Sequence, residues 1–194
     1  MPNRMAGDAT KQLLCESLKK KMAVKPLDKI SIREITEDCG LNRQTFYYHF
    51  EDIYDQVKWM YEQEAVSLLR EHESILFWQE GLLLLFAYLE KNRAVCLCAL
   101  RSMGHEHVRR LFYDDLHDVL KNLVFSLGEQ AHIPQEYGEF LTHYFTLSLA
   151  SLVESWLLGE MKETPEELVR FVDIGINDQL RGAIERAREG GSCS

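Results

Sequence analysis

Residues 31–50 read Ser31-Ile32-Arg33-Glu34-Ile35-Thr36-Glu37-Asp38-Cys39-Gly40-Leu41-Asn42-Arg43-Gln44-Thr45-Phe46-Tyr47-Tyr48-His49-Phe50, and their spacing decides the fold. The Ser31 hydroxyl can accept from a free N–H of the first helical turn, and Glu34, three residues on, can return the bond as a capping box. Ile30 and Ile35 flank that cap as a hydrophobic staple. Ile32, Ile35 and Cys39 then share a face, and Gly40 stands where a helix ends in a left-handed residue. The pattern restarts at once, with Asn42 as cap and Leu41 with Phe46 as a second staple. Two short capped helices joined by a turn containing Gly form a helix-turn-helix.

The second of these helices has two unlike sides. Phe46 and Phe50 lie four apart and should pack inward against Leu41, Ile35 and the first helix. Arg43, Gln44, Tyr47 and Tyr48 are then left facing outward, with Thr45 and His49 on the flank. Folding alone explains such a surface poorly, whereas the major groove of DNA explains it well. Arg grips O6 and N7 of guanine, and Gln pairs with N6 and N7 of adenine. Thr, Tyr and His reach phosphate oxygens, and an N-cap Asn stands at the end of the helix that enters the groove.

Outward from this stretch the periodicity is helical almost throughout. A first helix over about Thr10–Met22 places Leu13, Leu14, Ser17 and Leu18 on one face and ends in Lys19-Lys20-Lys21, a run that suits the helix dipole as well as a phosphate. Further helices are expected at about 51–71, 74–91, 93–102, 105–127, 135–161 and 165–188. The last of these has Thr164 as cap, Pro165 at the first helical position and Glu167 completing a capping box. The chain thus reads as all-α, about nine helices. A three-helix head over residues 8–52 precedes a larger helical bundle over 53–188 and a short disordered Gly/Ser tail at 189–194.

Charge separates the same two parts. The whole chain carries −9, but residues 1–50 hold nine Lys and Arg against six Asp and Glu, a net +3, while the remainder carries −12. A basic head on an acidic body fits a DNA-binding module joined to a sensing or dimerising one. The candidate phosphate contacts outside the recognition helix are Lys25, Lys29, Arg33 and Lys58. Five cysteines without a C-x-x-C spacing read as free thiols of a reducing compartment. The N-terminus lacks the features of a signal peptide, and no apolar run approaches the ~20 residues of a membrane span, so a cytoplasmic, non-membrane protein is expected.

The run from Ile32 to Phe50, ending in Phe46-Tyr47-x-His49-Phe50, resembles the DNA-binding domain of the TetR family. The resemblance implies a homodimeric all-α regulator that binds double-stranded DNA through its first three helices. The remaining helices would dimerise and sense an unknown small-molecule effector or a partner protein. One departure stands out: where such regulators often carry Lys, three residues after the last Phe, this chain has Ile53, preceded by Glu51 and Asp52. The N–H groups at that helix start remain candidates for a phosphate. A second stretch, Trp156 to Leu168, is similar to the junction of the last two helices in a subgroup resembling regulators of dihydroxyacetone kinase operons.

The resemblance implies a two-fold interface from the last two helices, along Ser148, Ser151, Leu152 and Ser155 and along Leu168, Phe171, Val172 and Gly175. Trp78, Phe86, His105, His143, Tyr144 and Glu154 are candidates to line an effector cavity, although aromatic residues at helical spacing also build ordinary cores. His105-x-His107 and the Glu139/His143 pair contain metal-ligand types, but seven scattered His produce such pairs readily, so neither a metal nor a cofactor is expected. No phosphate-binding loop or hydrolase motif supports catalysis, and a di-iron bundle would need paired E-x-x-H motifs that are missing. The rival reading is a partner-dependent co-regulator that binds another protein through its acidic body and binds DNA weakly alone.

Overall fold

The computed structural model describes residues 2–71, 78–129 and 134–190, excepting the side chains of residues 2–6, 105–112, 115, 127–129, 184 and 187–190. Nine helices and no strand occur among them. They are α1 (Pro2–Met22), α2 (Ile32–Asp38), α3 (Arg43–His49), α4, α5 (Trp78–Lys91), α6 (Arg93–Met103), α7 (His105–Glu129), α8 (Gln135–Leu158) and α9 (Pro165–Gly190). Helix α4 begins as Ile53–Tyr61, loosens into a π-helical stretch over Glu62–Val66, and closes with an α-helical turn at Ser67–Arg70. A short 3₁₀ turn, Leu27–Lys29, precedes α2.

The all-α expectation is met, with boundaries adjusted by local chemistry. Helix α1 starts at Pro2, well before Thr10, and Leu13 turns outward at 44% exposure while Leu14, Ser17 and Leu18 are buried. Helix α8 stops at Leu158 and not Met161, because Gly159 takes a left-handed conformation (φ 80°, ψ 21°) that ends the helix. The cap of α9 forms as read: Glu167 N–H donates to Thr164 Oγ1 at 3.3 Å, and Thr164 N–H to Glu167 Oε2 at 2.9 Å. The helix start expected near Ser74, and residues 191–194 of the tail, lie outside the described residues.

Contacts divide the chain into two compact units, Met1–Ala65 with Lys91–Leu111, and Val66–Glu90 with Phe112–Ser194. The first unit is built on α1, whose Leu14 and Leu18 are fully buried together with Ile35, Phe46, Val57 and Met60. Helix α6 packs here too: Leu27 N–H donates to Ser102 Oγ at 3.1 Å, and the Cys98 thiol to Lys25 O at 3.4 Å. In the second unit Leu82 and Phe86 of α5, Leu120 and Leu123 of α7, Leu141 of α8 and Leu168 and Ile176 of α9 form the core. Buried Thr142 and Thr146 donate to the carbonyls four residues back, so neither is left unsatisfied.

Candidate nucleic-acid interface

The cap of α2 forms in full, since Ser31 Oγ accepts from Glu34 N–H and the Glu34 carboxylate accepts from Ser31 N–H at 2.9 Å. The same carboxylate accepts from Lys25 at 2.5 Å. These bonds, that of Lys25 foremost, hold the Glu34 carboxyl down to about 2. The turn after α2 is a Schellman motif: Leu41 N–H donates to Thr36 O at 2.8 Å and Gly40 N–H to Glu37 O at 3.2 Å, with Gly40 at φ 66°. A Cβ on Gly40 would meet nothing within 4 Å, so glycine is required there for its backbone and not for space.

Helix α3 starts from Asn42, whose Oδ1 accepts from Thr45 N–H at 2.9 Å and from Thr45 Oγ1 at 3.1 Å. Its two sides separate as the spacing requires. Phe46 and Phe50 are buried and in contact, with ring centroids 5.7 Å apart. Arg43 and Gln44 are exposed, as are Tyr47 at 60% and Tyr48 at 81%. Thr45 and His49 are half-buried on the flank. His49 lies beside Gly7 of α1 and under Tyr48, and burial, with help from the Lys11 charge, pushes its pKa below the ordinary histidine value. It therefore meets a ligand at pH 7 as a neutral ring, able to donate from one nitrogen and accept at the other.

A clamp that short-range spacing does not reveal ties α3 to its neighbours. Phe50 packs against Trp59 of α4, and the Lys11 ammonium of α1 sits over both rings at 5.5 and 5.1 Å. Only the tertiary fold brings these three together, so nothing in the linear pattern could have found them.

The expected phosphate contacts are already engaged. Lys25 pairs with Glu34 at 2.5 Å, Lys29 with Asp28 at 3.6 Å, Arg33 with Glu37 at 2.6 Å and Lys58 with Glu62 at 3.7 Å. The start of α4 is engaged as well: Asp52 Oδ1 accepts from Asp55 N–H at 2.8 Å, and Asp55 Oδ2 accepts from Glu51 N–H at 3.0 Å. Carboxylates of the chain thus take two of the N–H groups that were candidates for a phosphate.

In the body, Trp78 and Phe86 are core residues, and Phe86 meets Trp156 edge-on at 4.9 Å. Glu154 is half-buried on α8. His143 and Tyr144 face outward instead, His143 paired with the Tyr113 hydroxyl at 2.5 Å. Of the five candidates with described side chains, two are thus buried, one is half-buried and two are exposed, and the His105 side chain lies outside the described residues, as does that of His107. No group of three or more metal-ligating side chains occurs among the described residues. Ser148, Ser151 and Gly175 are exposed, Phe171 is half-exposed, and Leu152, Ser155 and Val172 are partly covered, whereas Leu168 is buried within the chain. Ser148, Leu152, Phe171, Val172 and Gly175 line one apolar groove with Tyr144. No helix among the described residues is long and apolar enough to cross a membrane.

Comparison with known proteins agrees with this architecture. Residues 77–178, more than half of the chain, match a TetR-type family described as a transcriptional regulator C-terminal region. The chain is 29% identical over 84 residues to the HTH-type dhaKLM operon transcriptional activator DhaS of Lactococcus lactis subsp. lactis (strain IL1403). That match spans 43% of this chain and 45% of the relative, so it covers less than half the length of the curated protein. A solved structure described as dihydroxyacetone kinase operon activator DhaS superposes with a TM-score of 0.71 at 21% identity, covering 89% of this chain and 96% of the other. At that identity the superposition speaks for the fold. With the helix-turn-helix built as described and the family match over the body, the chain belongs to the TetR-like transcriptional regulators.

Proposed function

We propose that this regulator is a homodimer that reads a palindromic operator with α3 and responds to an effector held by its body. The observation that carries the reading is the split of α3: two Phe rings buried, and Arg43, Gln44, Tyr47 and Tyr48 turned to solvent. Residues 8–52 form the reading head, in which Arg43 and Gln44 address base edges while Asn42, Thr45, Tyr47, Tyr48, His49, Lys29 and Arg33 address bases or phosphates at the groove wall. Residues 53–188 carry dimerisation and sensing.

The dimer is supported by an apolar face that a monomer would leave wet. Phe140, Tyr144, Phe171 and Ile174 are each about half-exposed, beside the small residues Ser148, Ser151 and Gly175 that allow helices to approach closely. Helices α8 and α9 paired with their two-fold mates would cover it. The dimer must then set its α3 helices about 34–36 Å apart, or a multiple, to meet successive major grooves. An effector, small molecule or partner protein, acts by binding better to one spacing than to another. Of the candidate effector residues, buried Trp78 and Phe86, the latter against Trp156, and half-buried Glu154 are where we place the sensing core.

Selection of the purified protein against a random duplex pool at near-physiological salt tests this. Enrichment of a palindrome with half-sites about one turn apart is the expected result. Folded protein that enriches no motif would overturn it in favour of a regulator that needs a partner to reach DNA, a reading for which the internally paired cations are the supporting observation.

A further inference from the structure

The recognition helix and the four candidate phosphate contacts outside it differ in how their cations are held. Outside α3, Lys25, Lys29, Arg33 and Lys58 each face a carboxylate of the same chain, at distances from 2.5 to 3.7 Å. On α3, Arg43 is exposed and has no acidic or aromatic partner among the described residues. Arg43, placed to read bases, is left without a carboxylate, whereas each of these four cations has one beside it. The tightest of the fully solvated pairs is Arg33 Nε to Glu37 Oε1, at 2.6 Å along one face of α2, with both side chains more than half-exposed. The first helix of a helix-turn-helix is the one that crosses the DNA backbone.

We infer that Glu37 is a specificity-determining residue of the head, a carboxylate that occupies Arg33 in place of a DNA phosphate. This rests on the DNA-reading assignment made above. A complex on arbitrary sequence is held almost entirely by neutralised phosphates and can shift along the duplex to maximise them. Glu37 takes the Nε–H of Arg33, so a phosphate that replaced it, or bound the remaining guanidinium N–H groups, would set its charge close to the Glu37 carboxylate. An operator complex is held in register by Arg43 and Gln44 and depends less on that contact. Glu37 therefore penalises arbitrary DNA more than the operator, and keeps an acidic, sparingly cationic protein off bulk DNA. The pairing of Asp52 and Asp55 with N–H groups at the α4 start works in the same direction.

The test is a salt titration of binding to a fluorescent duplex of random sequence, repeated on the duplex that selection enriches. Glu37→Gln should add one phosphate contact per protomer, two per dimer. On random duplex the log–log salt slope of the dimer steepens by about 1.8, equivalent to about sixtyfold tighter binding at 0.1 M than at 1 M salt relative to the parent. The gain on the enriched duplex should be smaller, so the discrimination ratio falls. Adding Arg33→Ala should abolish the gain. Glu16→Gln makes the same charge change at an exposed position of α1, and should leave the slope unaltered. An equal gain from Glu16→Gln would reduce the effect to net charge and overturn the proposal. So would an unchanged slope in Glu37→Gln, while parental binding to the enriched duplex left the DNA-reading assignment standing. A parent protein that binds no duplex at any salt would instead remove that assignment itself.

Discussion

Gln56 lies in α4 with none of its side chain exposed, and neither Oε1 nor Nε2 has a hydrogen-bond partner among the described residues. The Cys15 thiol beside it is directed at the Gln56 main-chain carbonyl at 4.0 Å, and a thiol is in any case a weak partner for an amide. Each buried, unsatisfied polar group costs roughly 1–3 kcal/mol. Methionine has nearly the same length and shape, loses similar rotamer freedom on burial, and adapts to irregular cores. Gln56→Met therefore removes the desolvation cost without opening a cavity, and should stabilise the first unit by about 2 kcal/mol. For a chain of this size that raises the melting temperature by about 4–8 °C. Calorimetry reads the shift, and slower hydrogen exchange in α1 and α4 would locate it in that unit. An unchanged or lowered melting temperature would show that the amide is satisfied, by an enclosed water or by a neighbour in another arrangement of α4, and the reasoning would fall.

Four further outcomes are expected. Gly40→Ala should cost about 1–2 kcal/mol in urea unfolding, because the φ of 66° penalises any Cβ although the space is open; Gly40→Asn should cost less, and an equal loss in both would point away from the backbone conformation. Glu34 has its folded pKa depressed to about 2 from an ordinary 4.5, so its contribution is complete above 4.5 and is lost as pH falls toward 2. Glu34→Gln should flatten the stability profile over that window, and an unaltered acid limb would contradict the Lys25 and Ser31 contacts. Arg43→Ala and Gln44→Ala should each lose about 1–3 kcal/mol of discrimination at one base position per half-site, read by repeating the selection; an unchanged preference removes that residue from base readout. Phe171→Glu, a charge on the exposed apolar face of α9, should weaken self-association by on the order of 2 kcal/mol, seen as a fall in mass by light scattering at micromolar protein, whereas a constant mass would place the dimer elsewhere.

What was legible in the sequence is what is local. Ser31 with Glu34, Gly40, Asn42 with Thr45, and Thr164 with Glu167 act within four residues of one another, and each forms the bond its spacing requires. The Phe46 and Phe50 face follows from helical periodicity in the same way, and it fixes which side of α3 meets solvent. Gly159 is equally local, yet an isolated glycine inside an apolar helical pattern reads as tolerated, which carries the expected helix on to Met161 where the positive φ ends it at Leu158.

The remainder depends on contacts across the fold. No spacing rule links Lys11 to Phe50 and Trp59, or Lys25 to Cys98 of α6, because those residues meet only after α1, α4 and α6 have packed. Charge behaves differently from either case. Arg33 and Glu37 are an i, i+4 pair, and Asp52 and Asp55 sit at cap spacing, so both arrangements were open to a sequence reading. Counting Lys and Arg by segment conceals them, for a net +3 over residues 1–50 describes the field far from the surface and not the cations a phosphate would meet. At contact distance the pairing decides, and there, among the described residues, Arg43 of α3 stands without a carboxylate while each of the four expected anchors outside α3 faces one. On the proposed reading such a head leans on base contacts more than on these four cations, so the substitutions that matter most should be Arg43 and Gln44 for choice of site and Glu37 for rejection of the rest.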